Sequence, residues 1–165
     1  MPTVSNTSPI LNLAIIDHLD LLRAQFAQVI IPPDVLDELK LETDFPGTES
    51  IRQALQSGWL RAVELEDVRL SRALALELDR GEAAAIALAL ELGGTRILMD
   101  EHEGRAKARA LGLQPVGVLG VLLRAKRDGS LESVDLAAQA LRHRAGFFIA
   151  DALLAQVLVD AGECQ

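Results

Sequence analysis

Short apolar runs alternate along this chain with longer segments whose apolar positions recur every three or four residues. Thr3 to Ser5 predicts a strand followed by a polar turn. Val29 to Ile31 predicts a second strand, stopped by Pro32 and Pro33, and WLRAVEL, RILM and PVGV predict three more. Between them the longer period predicts helices. One runs through ILNLAII with Pro9 in its first turn, and one covers Asp17 to Phe26 with Leu19, Leu21, Leu22 and Phe26 on its apolar face. The paired prolines start a helix that contains Glu38, and SIRQALQSG reads as a helix closed by Gly58. Two helices follow over about 67–78 and 80–92, the second ending at Gly93-Gly94, and EHEGRAKARALG makes another. Three more near 118–128, 133–143 and 151–161 complete the chain, and LETDFPGTES, about 41–50, is its most loop-like segment. Strands alternating with helices imply an α/β fold, a short-stranded parallel sheet covered by helices. No internal repeat, low-complexity tract or linker divides the sequence, so residues 1–165 are expected to form one domain.

Composition adds that the core is aliphatic. The chain has one Trp, four Phe and no Tyr, while half of its residues are hydrophobic, which argues against disorder. The single cysteine, Cys164, can make no internal disulfide, which suits a reducing compartment. No charged segment followed by an apolar one marks a signal peptide, and AAAIALAL and PVGVLGVLL are too short to cross a bilayer. A cytoplasmic protein is the expectation. Net charge is −8, which on its face speaks against nucleic acid. The charge is uneven, however. Residues 105–144 hold Arg105, Lys107, Arg109, Arg124, Lys126, Arg127, Arg142 and Arg144 against only Asp128, Glu132 and Asp135. Ordinary solvated helix faces would explain that excess. A positive shoulder beside an acidic centre would explain it too, and would suit a phosphate backbone.

The candidate chemistry lies in scattered acids. In the helix of PPDVLDELK, Asp34, Glu38 and Glu42 recur at four-residue spacing, so like charges stack, and a cation would relieve the repulsion. In LDRGEAAAIALALE, Asp79 can cap the helix with Glu82 as its third residue. Glu82 also shares its face with Ile86, Ala89, Leu90 and Gly93, and a carboxylate at the head of an apolar stripe needs a partner. Asp100 follows RILM directly with Glu101 and Glu103 behind it, more acids than capping a helix requires. Asn6 follows the first strand. Ligands of open α/β sheets gather beyond the carboxyl ends of the strands, so Asn6 and Asp100 are expected on one edge. His18, His102 and His143 are solitary, which speaks against zinc, and neither a nucleophile elbow nor a phosphate-binding glycine loop is present. All-oxygen sites select Mg²⁺ or Mn²⁺, ions that assist in-line displacement at phosphorus.

The segments VSNTSPILNLA, VIIPPDVLDEL, LDRGEAAAIALALELGGTRILMDEHEGRAKARALGL and PVGVLGVLLRAKRDG resemble PIN-domain proteins, specifically the branch catalogued as a domain of unknown function, DUF3368. The resemblance covers nearly the whole chain. It implies a three-layer α/β/α sandwich, an acid cluster binding Mg²⁺ or Mn²⁺, and ribonuclease activity, many relatives being toxins of toxin–antitoxin pairs. By position the acids fall on Glu38, Glu82 and Asp100, with Glu101 and Glu103 as auxiliaries. Thr7 or Ser8 is expected to hydrogen-bond near the site. The first acid of the family motif falls on Asn6, a departure that supplies a carbonyl oxygen without charge. On this reading Asn6, Glu38, Glu82 and Asp100 hold the ion, and Arg105, Lys107, Arg109, Arg124, Lys126 and Arg127 meet RNA. A cognate antitoxin and a homodimer are the expected partners. The alternatives are a catalytically weakened module that docks RNA or protein, and a subunit whose surface serves assembly.

Overall fold

A computed structural model describes residues 2–163; Cys164 lies outside the described residues. Five strands form one sheet in the order β3-β2-β1-β4-β5, every pair parallel: β1 (Thr3–Ser5), β2 (Val29–Ile31), β3 (Leu60–Ala62), β4 (Arg96–Leu98) and β5 (Gln114–Val116). The helices are α1 (Thr7–Ile15), α2 (Asp20–Phe26), α3 (Pro33–Glu38), α4 (Thr48–Ser57), α5 (Arg69–Leu74), α6 (Arg80–Glu91), α7 (His102–Ala110), α8 (Val118–Arg127), α9 (Val134–Arg144) and α10 (Asp151–Asp160).

Side chains of a strand point alternately to its two faces, and that period divides the core. Val29, Ile31, Leu60 and Leu98 join the apolar faces of α1, α2, α4, α8, α9 and α10 in one cluster. Val4, Ile30, Ile97 and Met99 join α5, α6 and α7 in the other. Helices therefore cover both faces of the sheet, giving the three-layer sandwich. The chain leaves the central β1 toward β2 and β3, then returns to add β4 and β5 on the other side. The direction of winding reverses between β1 and β4, and in open α/β sheets ligands bind in the crevice beyond the strand ends at such a switch.

Several boundaries differ from expectation for local reasons. The helix expected from Pro9 begins at Thr7, because Asn6 already has the extended conformation of a helix-leading residue and Pro9 fits within the first turn. The expected loop over 41–50 ends early, as α4 starts at Thr48. Gly47 leads into it at φ 95°, and a Cβ there would come within 2.8 Å of the Ala14 backbone, so only glycine fits this crossing. WLRAVEL contributes a ladder of only three residues, because its one neighbour, β2, is that long. PVGV gives up its second valine: β5 ends at Val116 and Val118 starts α8, its N–H taken by the Asp100 carboxylate. The helix expected from Asp17 starts at Asp20, after a turn in which Asp17 has positive φ. That expected over 67–78 is helical only over Arg69–Leu74. No helix of the described residues is long and apolar enough to cross a membrane.

Candidate metal centre and its surroundings

Asn6 follows β1 at the switch point, 2 % exposed, its N–H donating to Leu98 O at 2.9 Å. Although it precedes α1, its side chain does not cap that helix. Nδ2 instead donates to Glu101 Oε2 at 3.0 Å, while Oδ1 is buried with no partner among the described residues. An amide oxygen left so costs about 1–3 kcal/mol. The orphaned acceptor belongs to the same amide that touches Glu101.

Thr7, one residue on, donates its hydroxyl to Glu38 Oε2. Glu38 is the exposed last residue of α3, which the two prolines bring off the end of β2. Ser8 is turned away from these groups, its Oγ accepting from Asn12 Nδ2 at 3.0 Å within α1. Of the two hydroxyls expected near the site, Thr7 touches a candidate acid and Ser8 serves its own helix.

Glu82 sits in the first turn of α6, 6 % exposed. Its N–H donates to Asp79 Oδ1 at 2.8 Å, so the expected cap forms through the backbone. Burial first, then a shared hydrogen bond and charge from Asp79, then the charges of Glu101 and Glu103, push the Glu82 carboxyl up to about 8. Every neighbour acting on it is an acid. A buried carboxyl among acids either keeps a proton or takes up a cation.

Asp100 points another way. Its Oδ1 accepts from Val118 N at 2.9 Å, and Oδ2 is buried without a partner. Burial raises it to about 6, the Val118 N–H and Arg105 pulling down and Glu101 pushing up. Arg105 is fixed beside it by a bond from Nη1 to Met99 O at 2.9 Å. The charged groups acting on Asp100 are thus Glu101 and Arg105, and those acting on Glu82 are Asp79, Glu101 and Glu103. Glu101, expected as an auxiliary, is the acid common to both and the one that touches Asn6.

Three glycines make room for these acids, and the sequence reading passed over all of them. A Cβ at Gly81 would lie 2.5 Å from Glu38 Oε1, one at Gly104 would collide with Met99 Sδ and lie 3.4 Å from Glu82 Oε2, and one at Gly117 would lie 2.8 Å from Asp100 Oδ1. Gly81 and Gly104 are visible in the sequence as glycines inside helices, where glycine costs about 1 kcal/mol against alanine.

The residues fit a divalent cation in donor chemistry. The unpartnered Asn6 Oδ1 and the neighbouring carboxylates of Glu82 and Glu101 are hard oxygen donors without an internal base to satisfy them. They are not drawn into a closed cage: among the described residues, no three His, Cys, Asp or Glu side chains are arranged to hold one ion together.

The basic residues are largely engaged. Lys107 pairs with Glu77 at 2.6 Å, Arg124 with Asp128 at 3.7 Å, and Lys126 with Glu163 at 3.4 Å. Arg142 meets Asp151 and Arg144 meets Asp17, both at 3.0 Å. Arg109 and Arg127 have no ion pair among the described residues. The positive shoulder is therefore spread over α7, α8 and α9 and partly neutralised, by Asp128 within the segment and by Glu77, Glu163, Asp151 and Asp17 outside it.

Comparison with known proteins agrees with the architecture. The family model DUF3368, described as a PIN domain, matches residues 2–163, and the chain belongs to that family. No curated protein matches it.

Proposed function

We propose that this PIN-domain chain is a Mg²⁺- or Mn²⁺-dependent endoribonuclease, working at the crevice beyond β1 and β4. PIN domains are generally nucleases and typically use divalent metals. The observation that carries the reading is the orphaned Asn6 Oδ1, on an amide bonded to Glu101, close to a Glu82 on which, among the described residues, only acids act. Asn6, Glu82 and Glu101 would hold the ion, with Glu38, Glu103 and Asp100 within reach of a bound substrate or of ion-held waters. A divalent ion bound there supplies an activated water and neutralises charge on a phosphodiester.

The chain's own residues set the conditions. Thr7 holds Glu38 in place through its hydroxyl. Glu82, raised by burial and by acids, carries a proton at neutral pH and gives it up to a cation, so ion binding releases protons and tightens with pH. Asn6 orients Glu101 by donating to it. Arg105 lies beside Asp100 at the crevice, and Arg109 and Arg127, without an ion pair among the described residues, are further cations for RNA. A cytoplasmic toxin held in check by a cognate antitoxin is the biological role we propose, and a neighbouring gene product that co-purifies with this chain and suppresses its cutting would support it.

A second reading rests on two observations: an amide where the family's first acid is expected, and acids not gathered into a cage. On that reading the chain binds RNA or protein without cutting. One experiment separates them. Purified protein incubated with RNA should cut with Mn²⁺ and stop with EDTA, and Asn6→Asp should cut as fast or faster, since a carboxylate there adds charge to the ion site. Without metal the same change sets a second acid against Glu101, so it should lower the melting temperature until Mn²⁺ is added. No cutting by either protein, with no Mn²⁺ binding in calorimetry, would establish the binding module instead.

A further inference from the structure

Asp100 and Glu101 are adjacent, yet their carboxylates serve different places. Glu101 turns to Asn6, whereas Asp100, with Arg105, lines a cavity of about 480 Å³ whose other walls include Gly117, Leu119, Phe147 and Phe148. The walls are apolar and the polar edge is small. That edge is formed by Asp100 and by the Arg105 guanidinium, whose Nη1–H bonds to Met99 O and which has further N–H groups to give. Phe147 packs partly into the core, while Phe148 is 85 % exposed, as is half of Leu153 on the same cavity. In a chain with four phenylalanines and no tyrosine, two stand side by side here, one of them in water. Apolar side chains gathered around a cavity with a few convergent polar atoms mark a binding site rather than an ordinary surface.

We propose that this cavity takes an unpaired base of single-stranded RNA, the one next to the phosphodiester held at Asn6, Glu82 and Glu101. The proposal rests on the nuclease reading for its substrate class. An unpaired base has two faces that stack on an aromatic ring and an edge that carries N–H groups beside acceptors. Phe148 offers the ring. Arg105 donates to an acceptor on that edge. The cavity and the acid cluster share the Asp100–Glu101 peptide, whose Cα atoms are about 3.8 Å apart, so a nucleotide can reach one while its neighbouring phosphate lies at the other.

An extended peptide fits less well. β5 forms the open edge of the sheet beside the cavity, and its residues 114 and 116 pair inward with β4 through Gln114 N to Thr95 O and Met99 N to Val116 O. The residue facing outward is Pro115, which has no N–H to give an added strand.

The test uses fluorescent hexauridines carrying A, C, G or U at the third position, with binding read by anisotropy in Mg²⁺ on Glu82→Gln protein so that nothing is cut. Phe148→Ala in that background should weaken binding about five- to a hundredfold, the range for one base stacked on an aromatic ring, and flatten the ranking of the four hexamers. Because Phe148 lies in solvent, the melting temperature should not move. Equal affinity and an unchanged ranking would overturn the proposal. So would sedimentation showing that Phe148→Ala splits a dimer while RNA binding persists, for the surface would then belong to a second copy. The two readings fail separately. Cutting by otherwise wild-type Phe148→Ala at unaltered positions would sink the pocket and leave the nuclease standing, whereas base-ranked, Phe148-dependent binding without any cutting would do the reverse.

Discussion

Two poorly exposed glutamates show how the same side chain can be finished or left unfinished. Glu163, 13 % exposed in its side chain, accepts from Val134 N at 2.6 Å, Asp135 N at 3.0 Å and Ser133 Oγ at 3.2 Å, with Lys126 Nζ 3.4 Å away. Burial alone pushes it up, but the two backbone N–H groups and Lys126 outweigh that and hold it below the usual glutamate range. Its acceptors are used at the N-terminus of α9, where a helix favours negative charge. Glu82 is buried as well and meets acids alone. Glu163, which serves the fold, is surrounded by donors; Glu82 is surrounded by charge that a cation would neutralise, as the proposed ion site requires.

Exchanging the roles should give the largest effect. Glu82→Gln should reduce Mn²⁺-dependent cutting by about two orders of magnitude or more, comparable to removing one fixed electrostatic group from an active site. Glu163→Ala should leave cutting per folded molecule unchanged and destabilise the chain by about 2 kcal/mol through two unpaired N–H groups. For a domain of this size that is a fall of roughly 4–8 °C in melting temperature. Activity against stability, measured on the same two proteins, breaks the comparison if both variants lose both.

The pH dependence sharpens it. Glu82 has a folded value of about 8 against 4.5 for the free group, so its contribution is fully present below 4.5 and is lost as pH rises through 8. Asp100, at about 6 against 3.8, loses its share over a lower window in the same direction. Glu163 is shifted downward, so its contribution is present above 4.5 and is lost as pH falls through its folded value. Melting temperature should therefore fall at both ends of the range. Mn²⁺ should restore the alkaline side by replacing the proton on Glu82, and Glu82→Gln should remove both the alkaline loss and the Mn²⁺ response. Glu163→Ala should flatten the acid side alone. An alkaline loss that persists in Glu82→Gln would show that its cause lies elsewhere.

The layers of the fold were legible because strand and helix periods are local. Val29–Ile31, between a helix and two prolines, emerges at its expected limits, and α6 differs by one residue at its end. The resemblance supplied the rest of the architecture; Asn6 follows β1 and Asp100 follows the β4 segment, while Glu38 lies at the end of α3 and Glu82 in the first turn of α6. What the sequence could not reveal was direction. RILMDE places Asp100 and Glu101 side by side, and only the fold of α7 against β5 turns Glu101 to Asn6 and Asp100 to Val118. The charge count over 105–144 overstated the free positive charge for a similar reason, since Glu77 and Asp17, far away in sequence, pair with Lys107 and Arg144. The order β3-β2-β1-β4-β5, which creates the crevice, depends on long-range pairing and has no local signature.

Gly81 provides the finest contrast, because there helix stability and the site pull in opposite directions. Its position in the first turn of α6 would favour alanine by up to about 1 kcal/mol. A Cβ, however, would lie 2.5 and 2.7 Å from the two Glu38 oxygens, closer than van der Waals contact permits. The flexible end of an exposed glutamate yields at little energetic cost, so Gly81→Ala should keep its unfolding free energy within about 1 kcal/mol of the parent or gain slightly. Glu38 would then leave the Thr7 hydroxyl that holds it. If Glu38 serves substrate or ion, cutting should fall roughly tenfold, the lower end for loss of a supporting contact around a metal. Unchanged cutting in a protein as stable as the parent would remove Glu38 from the site and leave Asn6, Glu82 and Glu101 to carry the chemistry.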